Sequence, residues 1–168
     1  DPMAVMGLNL LDASDDSERD FLVGQLIEIF YKLFDPEHTG VIGPQFEHWL
    51  RCAALTIMAG PGGGTLLEIP KLFIDPAFLA AKRQYLRDQT VIDFWSKQMA
   101  TTADFHKSEM LNYFTSKFGH FLNTELMRHI MGQPRSAFNF SDIVAQRKIL
   151  LVDLSKGKIG ETNAYMLG

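Results

Sequence analysis

The sequence predicts a mainly helical fold, an irregular bundle of seven to eight helices with one short strand at about residues 148–153. Two observations carry this prediction. Apolar residues recur every three to four positions through most of the chain, which is the spacing of one face of a helix. Near the C-terminus, by contrast, four aliphatic residues stand together at positions 149–152, between a polar break and a Ser/Lys/Gly loop. Such a run is typical of a strand buried on both faces of an α/β sheet.

Capping residues, glycines and prolines divide the helical part. Pro44 suits the first turn of a helix, Asp75 followed by Pro76 is a cap with a first-turn proline, and Ser141 is expected to cap the last turn before the strand. An acidic turn at residues 14–18 complements the dipole of the first helix. The predicted helices span about residues 17–34, 44–59, 66–73, 76–86, 91–100, 103–122, 126–131 and 142–146.

The single strand bears on domain organisation. A lone strand is not stable, because its backbone groups need neighbouring strands and its two faces need covering helices. The remaining sequence supplies helices but no convincing partner strand, and the apolar pattern of residues 163–168 is still running at the last position. We therefore expect a piece of a larger α/β protein. Residues 1–13 are then an edge segment of its core, 14–146 a helical insertion, and 147–168 the return strand with the start of a core helix.

Composition fits one soluble domain. The 168 residues are 46% hydrophobic and 21% charged, and no apolar run approaches the ~20 residues that span a bilayer. We expect this piece not to be inserted in a membrane. The only cysteine, Cys52, falls in an apolar helical run, which predicts a buried, reduced thiol and a cytoplasmic location.

The net charge of −4 is unevenly distributed along the chain. Residues 1–75 hold 4 Lys/Arg against 12 Asp/Glu, whereas residues 76–168 hold 12 against 8. An acidic first half repels a phosphate backbone, so any nucleic-acid contact is expected in the second half, at Lys82, Arg83 and Arg87. The alternative is that these charges are ordinary solvated helix faces. The Phe, Trp and Met positions likewise fit a helical core, or else an exposed aromatic groove for a partner helix or peptide.

Two glycine-containing segments look superficially like phosphate loops. The run at residues 60–64 has no lysine and no preceding strand, so it is interpreted as a helix-ending turn. The segment at 155–160 follows the predicted strand but has Ile159 where a nucleotide loop has Ser or Thr. Its side chains Ser155, Lys156 and Lys158 still suit contact with a phosphate or a neighbouring subunit, because loops at this end of a strand face ligand crevices. The alternative is a plain structural turn.

No catalytic or metal site is predicted. The histidines do not occur four residues apart, and no second cysteine is present to complete a usual ligand set. No nucleophile can be paired with a base from the sequence, so no catalytic residue is assigned. The histidine positions are 38, 48, 106, 120 and 129.

Six segments, in this order along the chain, resemble the conjugative and type IV secretion ATPases, the TraG/TraD-like coupling proteins of the FtsK/HerA superfamily. The segments are GLNLL at 7–11, TLLEIPKLF at 65–73, DPAF at 75–78, DFW at 93–95, GQPRSAF at 132–138 and KILLVDLSKGKIG at 148–160. Together they extend over nearly the whole chain.

The resemblance implies a RecA-like motor, assembled as a hexamer at the inner face of the cytoplasmic membrane, with a helical all-α insertion between the two halves of its nucleotide site. The insertion is implicated in recognising the substrate, which is relaxase-bound DNA, accessory DNA-binding proteins or secreted effectors. This chain lacks both nucleotide-binding motifs, so ATP and magnesium are expected in the parent ATPase and no cofactor in the chain itself. DNA contact is expected to be weak at most. The alternative parent is a secretion-channel assembly ATPase, whose helical domain contacts other machine components.

Overall fold

A computed structural model describes residues 5–102, 104–122 and 124–168; the side chains of residues 104–106, 110, 120–122 and 158 are outside this description. The described chain is mainly helical, which confirms the predicted fold class. Its α-helices are α1 (Asp16–Phe34), α2 (Pro44–Met58), α3 (Lys71–Ile74), α4 (Pro76–Arg83), α5 (Gln89–Asp93), α6 (Met99–Thr101), α7 (Asp104–Leu122), α8 (Glu125–Met131), α9 (Phe140–Ala145), α10 (Lys156–Ile159) and α11 (Glu161–Leu167). A 3-10 helix spans Leu66–Glu68 and a π-helix spans Phe94–Gln98.

Helices α1 and α2 form the centre of the bundle and begin where the sequence predicts. The Asp15 carboxylate accepts from the Glu18 backbone N–H at 2.9 Å, and Pro44 occupies the first turn of α2. The buried face of α2 follows the apolar spacing that predicts a helix here, and seven apolar residues of this face are buried. These positions are Phe46, Trp49, Leu50, Ala53, Ala54, Ile57 and Met58.

Aromatic rings fill the space between these two helices and α7. Phe118 of α7 lies 5.2 Å from Phe30 of α1, and Phe114 lies 5.1 Å from Phe46 of α2, measured between ring centroids. The Trp95 indole N–H donates to Thr56 Oγ1 at 2.8 Å, so this buried polar group is satisfied. The same core includes Leu11 and Met166, which places residues from both predicted flanking segments against the helical body.

Some of the predicted helices and caps differ from the structure. The helix expected over residues 66–73 is interrupted at Pro70, which has no backbone N–H to continue it. The helix expected over 91–100 contains the π-helical turn between α5 and α6. The cap of α9 is Asn139, whose side chain accepts from the Ser141 N–H at 2.7 Å, so the prediction that Ser141 caps this turn was wrong.

The predicted strand at residues 148–153 does not form in the described part of the chain. Residues 149–155 have no regular secondary structure, and none of residues 149–152 makes a hydrogen bond. Ile149, Leu151 and Val152 are 87%, 88% and 59% exposed. The physical reason is that the described residues provide no neighbouring strand and no apolar surface to cover this segment.

Within the described ranges, no helix combines the length and apolar character that crossing a membrane requires.

Candidate functional site

Two segments that flank the helical body meet at one place. We call residues 5–13 the N-terminal arm and residues 133–137 the return segment. The Ala137 N–H donates to Gly7 O at 2.9 Å, and the Asn9 N–H donates to Ser136 Oγ at 3.0 Å. The chain therefore passes the same place before α1 and after α8, and we call this place the arm–return junction.

Asn9 ties this junction to the glycine turn at residues 60–64. Its side chain is 5% exposed, and its Nδ2 donates both to Gly64 O and to Pro134 O at 3.0 Å. Its Oδ1 accepts from the Leu11 N–H at 3.0 Å. A buried amide with both donors and the acceptor in use fixes three separate chain segments relative to one another.

Asp12 provides the ionic part of the junction. Its Oδ1 lies 2.7 Å from Arg135 Nη1, and its Oδ2 accepts from the Ser136 N–H at 2.8 Å. The Asp12 side chain is 18% exposed, so this charge-assisted pair is partly shielded from water. The ion pair and the Asn9 contacts hold the arm and the return segment together.

Lys82 also contacts the glycine turn. Its Nζ donates to Ile57 O at 3.0 Å and to Gly63 O at 2.5 Å. Burial lowers the pKa of Lys82, while the Glu68 carboxylate acts to raise it. The ammonium is thus used to satisfy carbonyls at the end of α2 and in the turn.

Beside this turn lies a groove of about 510 Å³, which we call the Arg87 groove. Its lining is mixed: apolar residues such as Leu55 and Val91 lie beside Tyr85, Arg87 and charged side chains. Asp16 Oδ1 lies 2.8 Å from Arg19 Nη1, and Asp20 Oδ1 lies 3.5 Å from Arg51 Nη1. The lining residues are Asp16, Arg19, Asp20, Leu55, Ala59, Gly60, Pro61, Tyr85, Leu86, Arg87, Asp88 and Val91.

The three basic residues assigned to nucleic acid do not form one basic patch. Lys82 is half-buried and donates to backbone carbonyls, whereas Arg83 is exposed on α4. Arg87 is exposed in a groove whose lining also contains three aspartates. Because carboxylates repel phosphate, this arrangement suits a protein segment better than a nucleic-acid backbone.

The residues assigned to a phosphate or subunit contact lie around α10. Lys156 Nζ donates to Glu161 Oε1 at 2.6 Å and to the Tyr165 hydroxyl at 3.2 Å, and the hydrogen bond to Glu161 raises the pKa of Lys156. The Ser155 N–H donates to Asp153 Oδ1 at 3.1 Å, and the Lys158 side chain lies outside the described residues. The Lys156 ammonium is therefore engaged by a carboxylate of the same chain, in an ion pair whose two side chains are exposed.

A cysteine–imidazole pair is present in the core of α2. Cys52 Sγ lies 3.9 Å from His48 Nδ1, and His48 Nε2 lies 3.0 Å from Gln98 Oε1. Cys52 is 1% exposed, which confirms the predicted buried thiol, and burial raises its pKa to about 12. A neutral thiol shielded from solvent is not a nucleophile. Among the described side chains, no group of three or more His, Cys, Asp or Glu is placed to hold a metal ion.

Sequence reasoning missed the polar contacts of the junction and of the α1–α2 loop. Asn9 and Ser136 are 127 positions apart, and no local pattern announces such a pairing. In the α1–α2 loop, Asp35 is 2% exposed and accepts from the backbone N–H groups of Thr39, Gly40 and Ile42. The predicted helices left residues 35–43 as a connection, but no pattern indicated the role of Asp35.

Comparisons with known proteins give no further assignment: no protein-family model, no curated protein and no solved structure matches the chain.

Proposed function

We propose that the chain is a helical partner-recognition domain of a hexameric motor ATPase of the conjugation and type IV secretion kind, without catalytic activity of its own. The observation that carries this proposal is the arm–return junction. A domain inserted between two elements of another fold must receive and return the chain at nearly the same place, or it would force those elements apart. The 2.9 Å hydrogen bond between Ala137 and Gly7 meets this condition.

The proposal gains support from where the resembling segments lie. The GLNLL segment at 7–11 and the GQPRSAF segment at 132–138 form the two sides of the junction. The TLLEIPKLF segment follows the glycine turn, whose Gly64 carbonyl accepts from Asn9. Three of the six segments quoted for the resemblance thus lie at or next to the arm–return junction.

The partner that suits the surface is a protein. A groove lined by both apolar and charged residues offers contacts to an apolar side chain and hydrogen bonds to a backbone, as peptide-binding grooves do. Relaxase, other relaxosome proteins or secreted effectors are the partners this role implies. The parent ATPase then supplies ATP, magnesium and the hexameric ring, on the cytoplasmic side of the membrane.

A pull-down with the purified chain tests the proposal. Immobilised protein is incubated with relaxosome proteins, with secreted effectors, with channel components and with single-stranded DNA, each at low and at physiological salt. We expect retention of a relaxosome protein or an effector, and no DNA retention at physiological salt. Retention of channel components alone would favour the channel-assembly ATPase, and retention of DNA alone would contradict a protein-recognition role.

Matched variants locate the binding surface. Arg87→Glu reverses the charge on the groove rim, whereas Arg83→Glu makes the same change on the exposed face of α4. We expect Arg87→Glu to abolish retention of the protein partner and Arg83→Glu to leave it unchanged. Equal effects of the two variants would mean that the Arg87 groove is not the binding surface.

A further inference from the structure

One charged side chain of the Arg87 groove has no partner among the described residues. The Arg87 side chain is exposed in the groove lining and takes part in no ion pair or hydrogen bond within the described part of the chain. The Tyr85 hydroxyl, in the same lining, also makes no hydrogen bond to a described residue. A guanidinium presents several N–H donors in one plane and no acceptor, so the group that fits it best is a carboxylate.

The three aspartates of the groove are already engaged. Asp16 and Asp20 form ion pairs with arginines, and Asp88 Oδ1 accepts from the Thr90 backbone N–H at 2.8 Å. A basic partner would compete with these contacts and would leave the Arg87 guanidinium without a counter-charge. A carboxylate from a partner would meet Arg87 and displace none of them, so charge complementarity favours an acidic group at this point.

Apolar groups line other parts of the groove. Leu55 and Leu86 are half-buried and Pro61 is exposed, so part of their surface is open to a partner. Tyr85 is 46% exposed, and its ring packs against Gly60, where an added Cβ would lie 2.5 Å from Tyr85 Cδ2. A ring fixed in this way offers contact area at little cost in conformational entropy, and tyrosine and arginine are enriched among the residues that dominate binding energy.

We propose that the Arg87 groove binds a protein segment with one Asp or Glu side chain next to a large apolar side chain, the carboxylate pairing with Arg87. The inference rests on the proposed function, because it names the chemistry of the segment that a partner protein presents to this groove. Acidic motifs are recognised by arginine side chains, whereas C-terminal carboxylates are held by backbone N–H groups. The unpaired donors described above belong to side chains, so the proposal is an internal acidic residue.

The aspartates limit how much negative charge the segment can carry. The groove lining contains three aspartates, Asp16, Asp20 and Asp88, against two arginines, Arg19 and Arg87. A run of acidic residues would be repelled by these carboxylates, as a phosphate backbone would be. A single carboxylate placed at the unpaired guanidinium is attracted to it, so the groove should select an isolated acidic residue in an apolar context.

A phage-displayed library of random linear peptides, selected against the purified 168-residue chain, tests the proposal. We expect the enriched peptides to share one Asp or Glu next to a large aliphatic or aromatic residue, without a run of acids. Enrichment of peptides rich in Lys and Arg would overturn the proposal, and so would the absence of enrichment over an unrelated control protein.

Matched variants show whether the selected peptides bind at Arg87. A synthetic copy of one enriched peptide is titrated by fluorescence anisotropy against the wild-type chain, Arg87→Glu and Arg83→Glu. The Arg83 side chain is also exposed and has no partner among the described residues, but it does not line the groove. We expect Arg87→Glu to weaken binding at least about tenfold, because attraction becomes repulsion between like charges, and Arg83→Glu to leave the affinity unchanged. Equal affinities for the two variants would contradict the proposal.

A charge swap separates a direct ion pair from an indirect effect of the substitution on the fold. Replacing the acidic residue of the peptide by Lys is expected to lower its affinity for the wild-type chain and to raise its affinity for Arg87→Glu. If the Lys peptide binds Arg87→Glu no better than the acidic peptide does, the carboxylate does not pair with Arg87 and the proposal is wrong.

The two proposals fail separately. Acidic peptides that bind at Arg87, with no relaxosome protein or effector retained in the pull-down, would remove the role in conjugation and secretion and leave the specificity of the groove intact. Retention of such a protein that Arg87→Glu does not reduce, with no acidic peptide selected, would do the reverse.

Discussion

Three side chains of this protein each hold a loop by several hydrogen bonds: Asn9 at the arm–return junction, Asp35 between α1 and α2, and Lys82 at the glycine turn. Each satisfies backbone groups that helices and turns leave without partners. Removing any one of them leaves backbone groups without partners, on distant segments for Asn9 and Lys82 and within the α1–α2 loop for Asp35. We therefore expect each of these side chains to contribute more to the stability of the fold than a single surface contact does.

Lys82 gives the first prediction. Lys82→Met keeps the aliphatic stem but removes the ammonium that donates to Ile57 O and Gly63 O. Because hydrogen bonds that involve a charged group are stronger than neutral ones, we expect a loss of about 1–3 kcal/mol in the free energy of unfolding. Chemical denaturation measures it. Arg83→Met, the exposed neighbour, is the control and should change stability by no more than about 0.5 kcal/mol; equal losses would contradict the role of Lys82.

Asp35 gives a pH prediction. Burial acts to raise the pKa of its carboxyl, but hydrogen bonds from Ile42, Thr39 and Gly40 outweigh burial and lower the pKa from 3.8 to about 2. Because the folded pKa is the lower one, the ionised carboxylate contributes stability that is complete above pH 3.8 and is lost as the pH falls toward about 2.

We therefore expect the unfolding free energy of the wild-type chain to fall across this acidic range, and that of Asp35→Asn to be lower at neutral pH and to fall less steeply. Denaturation curves at several pH values measure both slopes. Asp142→Asn, an exposed change in the first turn of α9, should retain the wild-type slope. The same slope in Asp35→Asn as in the wild type would show that Asp35 does not contribute to acid unfolding.

At the scale of elements, the glycine turn between α2 and the 3-10 helix brings several features together. It carries residues with positive φ at Gly60, Gly62 and Gly63, and it borders both the junction and the Arg87 groove. Tyr85 packs directly over Gly60, where an added Cβ would lie 2.5 Å from Tyr85 Cδ2. The turn is therefore shaped both by its backbone conformation and by the ring above it.

Alanine substitutions separate these two causes. Gly60→Ala and Gly62→Ala each place a side chain at a left-handed φ, which costs about 1–2 kcal/mol, but only the first also meets the Tyr85 ring. We expect Gly60→Ala to lower the unfolding free energy more than Gly62→Ala, and expect the difference to shrink when Tyr85 is also changed to Ala. Thermal or chemical denaturation of Gly60→Ala and Gly62→Ala, each with and without Tyr85→Ala, measures these losses in unfolding free energy. Equal losses at the two glycines would refute the contact between residue 60 and the Tyr85 ring.

How far the sequence predicts an element depends on whether its signals are local. The start of α1, the start of α2 at Pro44 and the buried face of α2 follow from caps and periodicity within a few residues, and they were predicted correctly. The break at Pro70 was missed because apolar spacing continues on both sides of it. The strand at residues 148–153 was predicted from the composition that a covered strand requires, and the described chain offers it no cover.

The candidate site was less predictable for the same reason. Lys82, Arg83 and Arg87 were grouped because they are close in sequence, yet the carbonyls that bind the Lys82 ammonium lie 19 and 25 positions away. Asn9, Asp12 and Ser136 were not singled out at all. Long-range polar pairs of this kind are determined by how whole elements pack, and single-sequence patterns do not contain that information.

At the scale of the whole molecule, the described residues form a helical body in which the N-terminal arm and the return segment meet at one place, close to the Arg87 groove. Ile149, Leu151 and Val152 are exposed beyond it. Leu11 and Met166 pack into the same core as α1 and α2, so both flanks also stabilise the body. Under the proposed function, such an arrangement would let the helical surface change while the fold that carries it is kept.

The proposed function requires that the helical body behaves as an inserted domain. Transferring residues 5–137 into a surface loop of an unrelated, well-folded host enzyme tests this requirement most directly, with host activity and the helical circular dichroism signal as the readouts. We expect the host to keep its activity and the inserted body to unfold as one cooperative unit, because Gly7 and Ala137 are joined by a 2.9 Å hydrogen bond. An inactive host, or an inserted segment with no helical signal, would contradict the account.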